Sequence, residues 1–435
     1  MESYNWISFT GIFVFIFVAW CFSNHRRSIN WRLVAWGIAL QSAFAVIIFR
    51  IPPGSRFFLW LNGVVVSILQ CASSGSQFLF NRLALPPGSE NTMGETSLGF
   101  YFAFQGLPSI VFFSALMALL YYFGTLPWLI RLFARVFSRL MRISGAEALC
   151  AASNIFVGIE SALTIQPHIA AMTRSELCAI LTCGMATVAS NVLAVYVFSL
   201  QDVFPTIAAH LISASFLSAP AGLLMAKILY PEKETPVTLG KDVPIHYQKP
   251  ESPFTAIIHG AETGINLILN IAGLLLAVLG LVALADLCLV STGDRINSLF
   301  NCSIQWNLAA LMGYLFYLPT LITGVPIADA WEIAKIIGER SIVTEVPAYQ
   351  DLAILMARNG LTHPRSAVIA TYALCGFAHI GSIAIFVGGV SALARDRTSD
   401  IARCGIRSLF AATLACMMTA CIAGTFFSNS SLLIP

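Results

Sequence analysis

Apolar positions along this chain come in long runs instead of the one-sided stripe shown by a helix on a water-soluble domain. Runs at 6–22, 31–49, 98–124, 176–200, 206–229, 261–290, 366–390 and 404–427 are separated by polar or Gly- and Pro-containing breaks. Each is close to or above the about 20 residues that cross a roughly 30 Å hydrocarbon core. The pattern predicts an all-α polytopic membrane protein with about eight transmembrane helices. Two segments, 143–172 and 330–358, mix Gly, Pro and acidic residues into apolar surroundings and are too broken to span. Non-helical backbone at membrane depth persists only where protein or a water-filled cavity satisfies it, so these segments predict two re-entrant helical hairpins lining a site.

Lys and Arg orient the spans, because cytoplasmic loops carry them in excess. Four clusters fall on one side if both termini lie outside: Arg26, Arg27 and Arg32; Arg131, Arg135, Arg139 and Arg142; Lys227, Lys233 and Lys241; and Arg395, Arg397, Arg403 and Arg407. The apolar segments 57–80 and 306–322 would reverse that assignment if they crossed, so they are predicted as interfacial or re-entrant helices. Arg56 beside Phe57, Phe58 and Trp60 suits headgroup depth. With this orientation the first hairpin enters from the cytoplasm and the second from outside, an inverted repeat. The first run is a span and not a signal peptide, since His25, Arg26 and Arg27 follow it and no small-residue cleavage site appears. The solvated stretch 230–254, rich in Pro, Glu and Lys, separates two halves. The organisation expected is N-terminal helices and an interfacial helix over 1–95, a first half with its hairpin over 96–230, a cytoplasmic linker over 231–260, a scaffold span and interfacial helix over 261–329, and a second hairpin-bearing half over 330–435.

Composition agrees: 57% of the residues are hydrophobic and 10% charged, against about 25% charged in ordinary soluble proteins. A net charge of +3 in short clusters excludes a nucleic-acid-binding surface. The eleven cysteines are scattered, mostly inside apolar runs, without a CxxC pair, and read as small apolar fillers. An intramembrane hydrolase is disfavoured, because GxSxG and HExxH are lacking and His168, His210, His246, His259, His363 and His379 are dispersed. The chain is expected not to be an enzyme. Single carboxylates in two hairpins also suit an occluding site better than the charged ring of a channel.

The chemistry-bearing residues lie in and just after the hairpins: Asn154 and Glu160, then Thr187, Ser190 and Asn191; and Glu345, then His379 and Ser382. A carboxylate at membrane depth costs roughly 3 kcal/mol even on the mild insertion scale, so it faces a cavity or a partner. The plain alternative is that these carboxylates bond to free hairpin amides; two of them, each followed by a polar break in the next helix, favour a site.

At these residues the chain resembles the concentrative nucleoside transporter family, importers of nucleosides driven by a sodium or proton gradient. The resemblance runs through GFYFAFQGLPSIVFFSALMALLYYFG at 99–124, GAEALCAASNIFVG at 145–158, GYLFYLPTLITG at 313–324, EVPAY at 345–349 and CGFAHIGSIAIFVGG at 375–389. It implies a homotrimer in a plasma or bacterial inner membrane, in contact with lipid, each protomer with a transport domain made of the two hairpins and two partly unwound helices. It further implies sodium as the coupled ion, a proton being the alternative, held by Asn154, the carbonyl of Val157, and Ala189 or Ser190. For Asn154, capping of a hairpin helix is an equally open reading. Glu345 matches the glutamate that grips the ribose hydroxyls, two acceptors suiting a vicinal diol, and Phe377 and Ser382 match positions near base and sugar. Gly158, Ile159 and Glu160 match the first tip that contacts the base, but the chain departs from the family there: Gly158-Ile159-Glu160-Ser161 lacks one residue of the usual Gly, Gln or Met, Thr or Ser, Glu, and with the gap before Glu160 the base-contacting glutamate is kept without its amide and hydroxyl neighbours. Thr344 and His379 stand where the family has asparagines. These departures leave open which base is preferred, and whether the solute is a different nucleoside-like molecule.

Overall fold

The computed structural model describes residues 3–91, 94–300 and 305–428, and no β-strand occurs among them. Three helices come first: α1 (Ser3–Cys21), α2 (Trp31–Phe49) and α3 (Pro52–Phe80). Asn30 caps α2, its side chain accepting from the Leu33 amide, while Pro52 and Pro53 start α3, where their missing N–H groups cost nothing. The short α4 (Phe102–Gln105) leads into α5 (Ser109–Tyr122), and Gly124, at φ 78°, turns the chain into α6 (Thr125–Met141). The arginines after the third run thus lie largely on an amphipathic helix and not in an open loop, a form suited to the membrane surface.

The remaining elements fall into two matching series. The first is α7 (Gly145–Ser153), a 3-10 stretch Ile159–Ile165 with α8 (Gln166–Ile169), then α9 (Arg174–Ala186) and α10 (Ser190–Leu200), then α11 (Ile207–Leu229). After α12 (Pro253–Phe300) and α13 (Leu308–Ile322), the second is α14 (Ile327–Ile342) and α15 (Glu345–Ala357), then α16 (Pro364–Leu374) and α17 (Ile380–Leu393), then α18 (Thr398–Phe426). Each series is a helical hairpin, a helix interrupted midway and a continuous helix. The halves interlock, α18 packing on α9 and α11 on α16.

Eight helical stretches are long and apolar enough to cross a membrane among the described residues. Seven correspond to expected spans. The eighth is Pro52–Ala84 instead of 366–390, which the structure divides into α16 and α17. The physical reason is that length and apolarity alone do not separate an interfacial helix from a crossing one, and that the break at Cys375–His379 cuts a span-length run into two short helices. At about 1.5 Å per residue, the 48 residues of α12 outrun the hydrocarbon core, so a crossing α12 is strongly tilted or projects from it.

Buried charge fastens the hairpin bases. Lys227 on α11 pairs with Glu147 in the first turn of α7 and, at 3.2 Å, with Glu232 of the linker, and donates to Ser175 at 2.9 Å. Glu147 also completes a capping box with Ser144, and Glu176 does the same with Thr173 at the start of α9. At the second hairpin, Asp329 accepts from the Thr362 amide and hydroxyl, the His363 amide and the Ser366 hydroxyl, while Arg365 donates to Asn5, Ser8, the Tyr4 carbonyl and the Gly324 carbonyl. Both bases are therefore tied to neighbouring helices. Replacing Lys227 by Met leaves Glu147 buried without its cation, which costs about 3–5 kcal/mol. The expected result is a marked fall in the thermal midpoint of the detergent-solubilised protein, with Lys227→Met/Glu147→Gln falling less than Lys227→Met alone.

Candidate functional site

Where α9 ends, Thr187 and Ala189 adopt extended backbone, with Val188 outside the helices between them, before α10 resumes at Ser190. The first hairpin's tip lies against this break: the Ser190 amide donates to the Phe156 carbonyl at 3.3 Å, and a Cβ on Gly158 would meet that of Ala189 at 3.0 Å. The Ala189 carbonyl is already taken by the amides of Val192 and Leu193. The carbonyls of Val157, Thr187 and Val188 accept no backbone hydrogen bond among the described residues. Asn154, fully buried, donates to the Cys150 carbonyl and accepts from the Ser161 hydroxyl at 2.9 Å, leaving its oxygen one lone pair. Of the expected ion shell, Val157 thus lies between the two tip residues that meet the break, Asn154 precedes them and bonds within the hairpin, and the break's unclaimed carbonyls belong to Thr187 and Val188 instead of Ala189.

The second break meets the first. Gly376 has φ 151° and packs against the Ala186 carbonyl, and the Cys416 thiol of α18 lies between the freed carbonyls of Ala186 and Cys375 at 3.9 and 3.4 Å. Cys416 therefore serves the breaks as well as filling space. His379 stands at the N-cap position of α17 without a side-chain capping bond, and its carbonyl accepts from the Ser382 hydroxyl at 2.6 Å.

Glu345 begins α15 and is 2% exposed. Its Oε1 accepts from the Tyr196 hydroxyl at 2.6 Å. Its Oε2 has no hydrogen-bond partner and lies 3.6 Å from His379 Nε2, and His379 Nδ1 also lacks a partner. These groups border a cavity of about 100 Å³ that brings together Gly158, Ile159, Glu160, Ala189, Glu345, Phe377, His379 and Ser382 from both tips and both breaks. Every expected solute-contacting residue is there. Leu267, Ile271, Leu274 and Leu275, one face of α12, form its apolar wall. Glu160 and Asn191 line this cavity and also a second, of about 570 Å³, that reaches the linker residues His246–Pro250. The site therefore has a polar end at Glu345 and His379 and another at Glu160 and Asn191, the latter opening toward the side of the linker.

Sequence reasoning missed three participants. Tyr196 is a tyrosine within the apolar run of α10 whose partner is 149 positions away, and the α12 face is indistinguishable by composition from a lipid-facing one. Arg340 is fully buried, its guanidinium nitrogens have no oxygen partner, and the Cys416 thiol lies beside it. It stands close enough to act electrostatically on Glu345 and His379.

The fold and site define a multi-pass membrane protein with a buried polar site between two helical hairpins and two interrupted helices. Residues 210–424 match the family description "Na+ dependent nucleoside transporter C-terminus", residues 10–83 its N-terminal counterpart, and residues 103–203 "Nucleoside recognition". Solute carrier family 28 member 3 of Mus musculus is 36% identical over 434 residues, spanning 97% of this chain and 58% of that protein. Sodium/nucleoside cotransporter 2 of Rattus norvegicus is 33% identical over 435 residues, spanning 97% and 62%. The chain thus spans less than two thirds of the length of these relatives. CNTnw in an inward-facing substrate-bound state superposes with a TM-score of 0.86 at 34% identity, covering 98% of this chain and all of that one. A substituted CNTnw in an outward-facing state gives 0.86 at 33%, covering 98% of each. The chain belongs to the concentrative, Na+ dependent nucleoside transporter family.

The contact between the breaks is testable. A side chain at Gly376 meets both a disfavoured φ, costing about 1–3 kcal/mol, and the Ala186 backbone, which cannot swing aside as a side chain would. Gly376→Ala is expected to lower the thermal midpoint by several degrees, while Gly63→Ala on α3, where a Cβ has open space, leaves it unchanged or slightly higher.

Proposed function

We propose that the chain is a secondary active transporter importing nucleosides coupled to a sodium gradient, by alternating access of a transport domain that holds both hairpins and both interrupted helices. The observation that carries this reading is Glu345 Oε2, a buried carboxylate oxygen without a partner, facing a cavity built from both tips. A carboxylate in that state is poised to accept from a sugar hydroxyl, and Tyr196 on Oε1 fixes its orientation. His379 and Ser382 border the sugar end, while Phe377 and the α12 leucines supply apolar surface for a base whose edge lies toward Ile159 and Glu160. Sodium, as co-substrate, takes oxygens from Asn154, Val157 and the Thr187–Val188 break; small hard cations favour such ligands, including carbonyls of an interrupted helix. Binding of the ion then draws the first tip onto the break and completes the wall of the solute cavity, which is the coupling.

The hairpins are re-entrant in this reading, entering from opposite faces as the basic clusters require, and α3 and α13 lie at the interface. The large cavity on the linker side gives the structure inward access. Exposed leucines along α12, including Leu269, Leu276, Leu281 and Leu287, with Tyr314, Leu315 and Leu318 on α13, supply apolar area for lipid and for a homotrimer of this chain. Proton coupling is the second reading, favoured by His379 Nε2 at 3.6 Å from Glu345.

Uptake of radiolabelled nucleosides into proteoliposomes, with a sodium or a proton gradient imposed in turn, tests both. Uptake is expected to follow sodium. Glu345→Gln exchanges charge-assisted bonds to the ribose for neutral ones, roughly 1–2 kcal/mol each. It should reduce uptake by tenfold or more in a protein that still folds; wild-type rates in that variant would remove Glu345 from the site.

A further inference from the structure

Lys227, Arg340 and Arg365 are the buried lysine and arginines among the described residues. Lys227 has Glu147 and Glu232 as partners, and Arg365 donates to four oxygens. Arg340 is different: it is 0% exposed, and its Nε, Nη1 and Nη2 lack a hydrogen-bond partner. A bare buried cation is strongly disfavoured unless an opposite charge stands near it. Arg340 lies in the last turn of α14, and Glu345, whose Oε2 is equally bare, opens α15 after only Val343 and Thr344. A cation in a last turn and a carboxylate in a first turn both suit the helix dipoles. The two charges thus share one hairpin tip at low dielectric, where attraction persists without contact, and Arg340 acts electrostatically on Glu345.

No other permanent cation faces this carboxylate among the described residues. Tyr196 of α10, Tyr349 of α15, Cys375 of the second break and Cys416 of α18 are never positive, and His379 is so only when protonated. The remaining polar groups of the small cavity, Glu160, Asn191, Thr344 and Ser382, add no positive charge. Because Arg340 does not bond to Oε2, it offsets the charge and leaves that oxygen free for a solute. We propose that Arg340 is a positioning residue for solute binding: it is the tethered counter-charge of Glu345 and keeps that side chain a carboxylate, the form that only accepts, as sugar hydroxyls require. It acts through Glu345 and not on the solute itself. This inference rests on the nucleoside reading above and concerns how its sugar-binding group stays charged.

The experiment measures sodium-driven uptake of a ribonucleoside into proteoliposomes from about pH 6 to about pH 9, at fixed sodium and membrane potential, for wild type, Arg340→Met and Arg340→Lys. His379 is present in every variant, so its own titration cancels in the comparison. Without the counter-charge Glu345 takes up a proton. Arg340→Met should therefore lose uptake by about tenfold or more at the acidic end, as Glu345→Gln does, and regain it toward the alkaline end by up to about tenfold per pH unit, as a titrating carboxyl allows. Wild type and Arg340→Lys should share a profile without that rise. Arg340→Met/Glu345→Gln should lose no more than Glu345→Gln alone and show no alkaline recovery, since both changes act through one group. A profile of Arg340→Met parallel to wild type, or a uniform loss at every pH, overturns the inference while nucleoside transport stands. If Arg340→Met does not fold, Arg340→Met/Glu345→Gln is expected to fold, having lost both charges together; failure of both makes Arg340 a packing element and overturns the inference. Absence of nucleoside uptake in wild type overturns the transport reading and the inference with it.

Discussion

In hydrocarbon there is no water to take up a freed carbonyl, so a helix is interrupted only where protein, an ion or a solute answers the backbone. This chain interrupts two helices, at Thr187–Ala189 and Cys375–His379, and sets the breaks against each other. Much of the surrounding structure follows. Gly376 is needed for the close approach, Cys416 covers a carbonyl from each break, and the Ser382 hydroxyl donates to the His379 carbonyl where α17 restarts. The carbonyls of Val157, Thr187 and Val188 remain without a backbone hydrogen bond among the described residues.

The hairpins extend the same logic. Their bases are fastened by buried charge, Lys227 to Glu147 and Arg365 to Asn5 and Ser8, whereas their tips meet the breaks through few bonds. Rigid bases and lightly held tips are what a site needs if binding is to close it. A carboxylate at each tip then borders the cavity, and Glu345 keeps one oxygen without a protein partner.

Much of this was legible from residue pattern. The hairpins 143–172 and 330–358 coincide with the observed ones because Gly, Pro and acidic residues among apolar ones have few other solutions in lipid. Glu345, His379, Ser382 and Glu160 stood out because polar groups are expensive there. The identity of the spans was less legible: 57–80 reads the same whether it lies along the interface or crosses, and 366–390 reads as one helix until Gly376 takes a positive φ. Tyr196, Arg340 and the Leu267–Leu275 face were illegible for a different reason. Their roles depend on what they meet across the fold, and a tyrosine or leucine in an apolar run carries no mark of its partner.

In the transport reading proposed above, a sodium ion at the first break and a solute at the joined tips stabilise one another. Linkage makes this reciprocal, with typical factors of roughly 5–150. The direct measurement is calorimetric binding of a nucleoside to the solubilised protein in sodium and in choline buffers, paired with sodium titrations with and without the nucleoside. Tighter nucleoside binding is expected in sodium, with an equal factor in the reverse titration and loss of both in Asn154→Ala. Equal nucleoside affinity in the two buffers would contradict it.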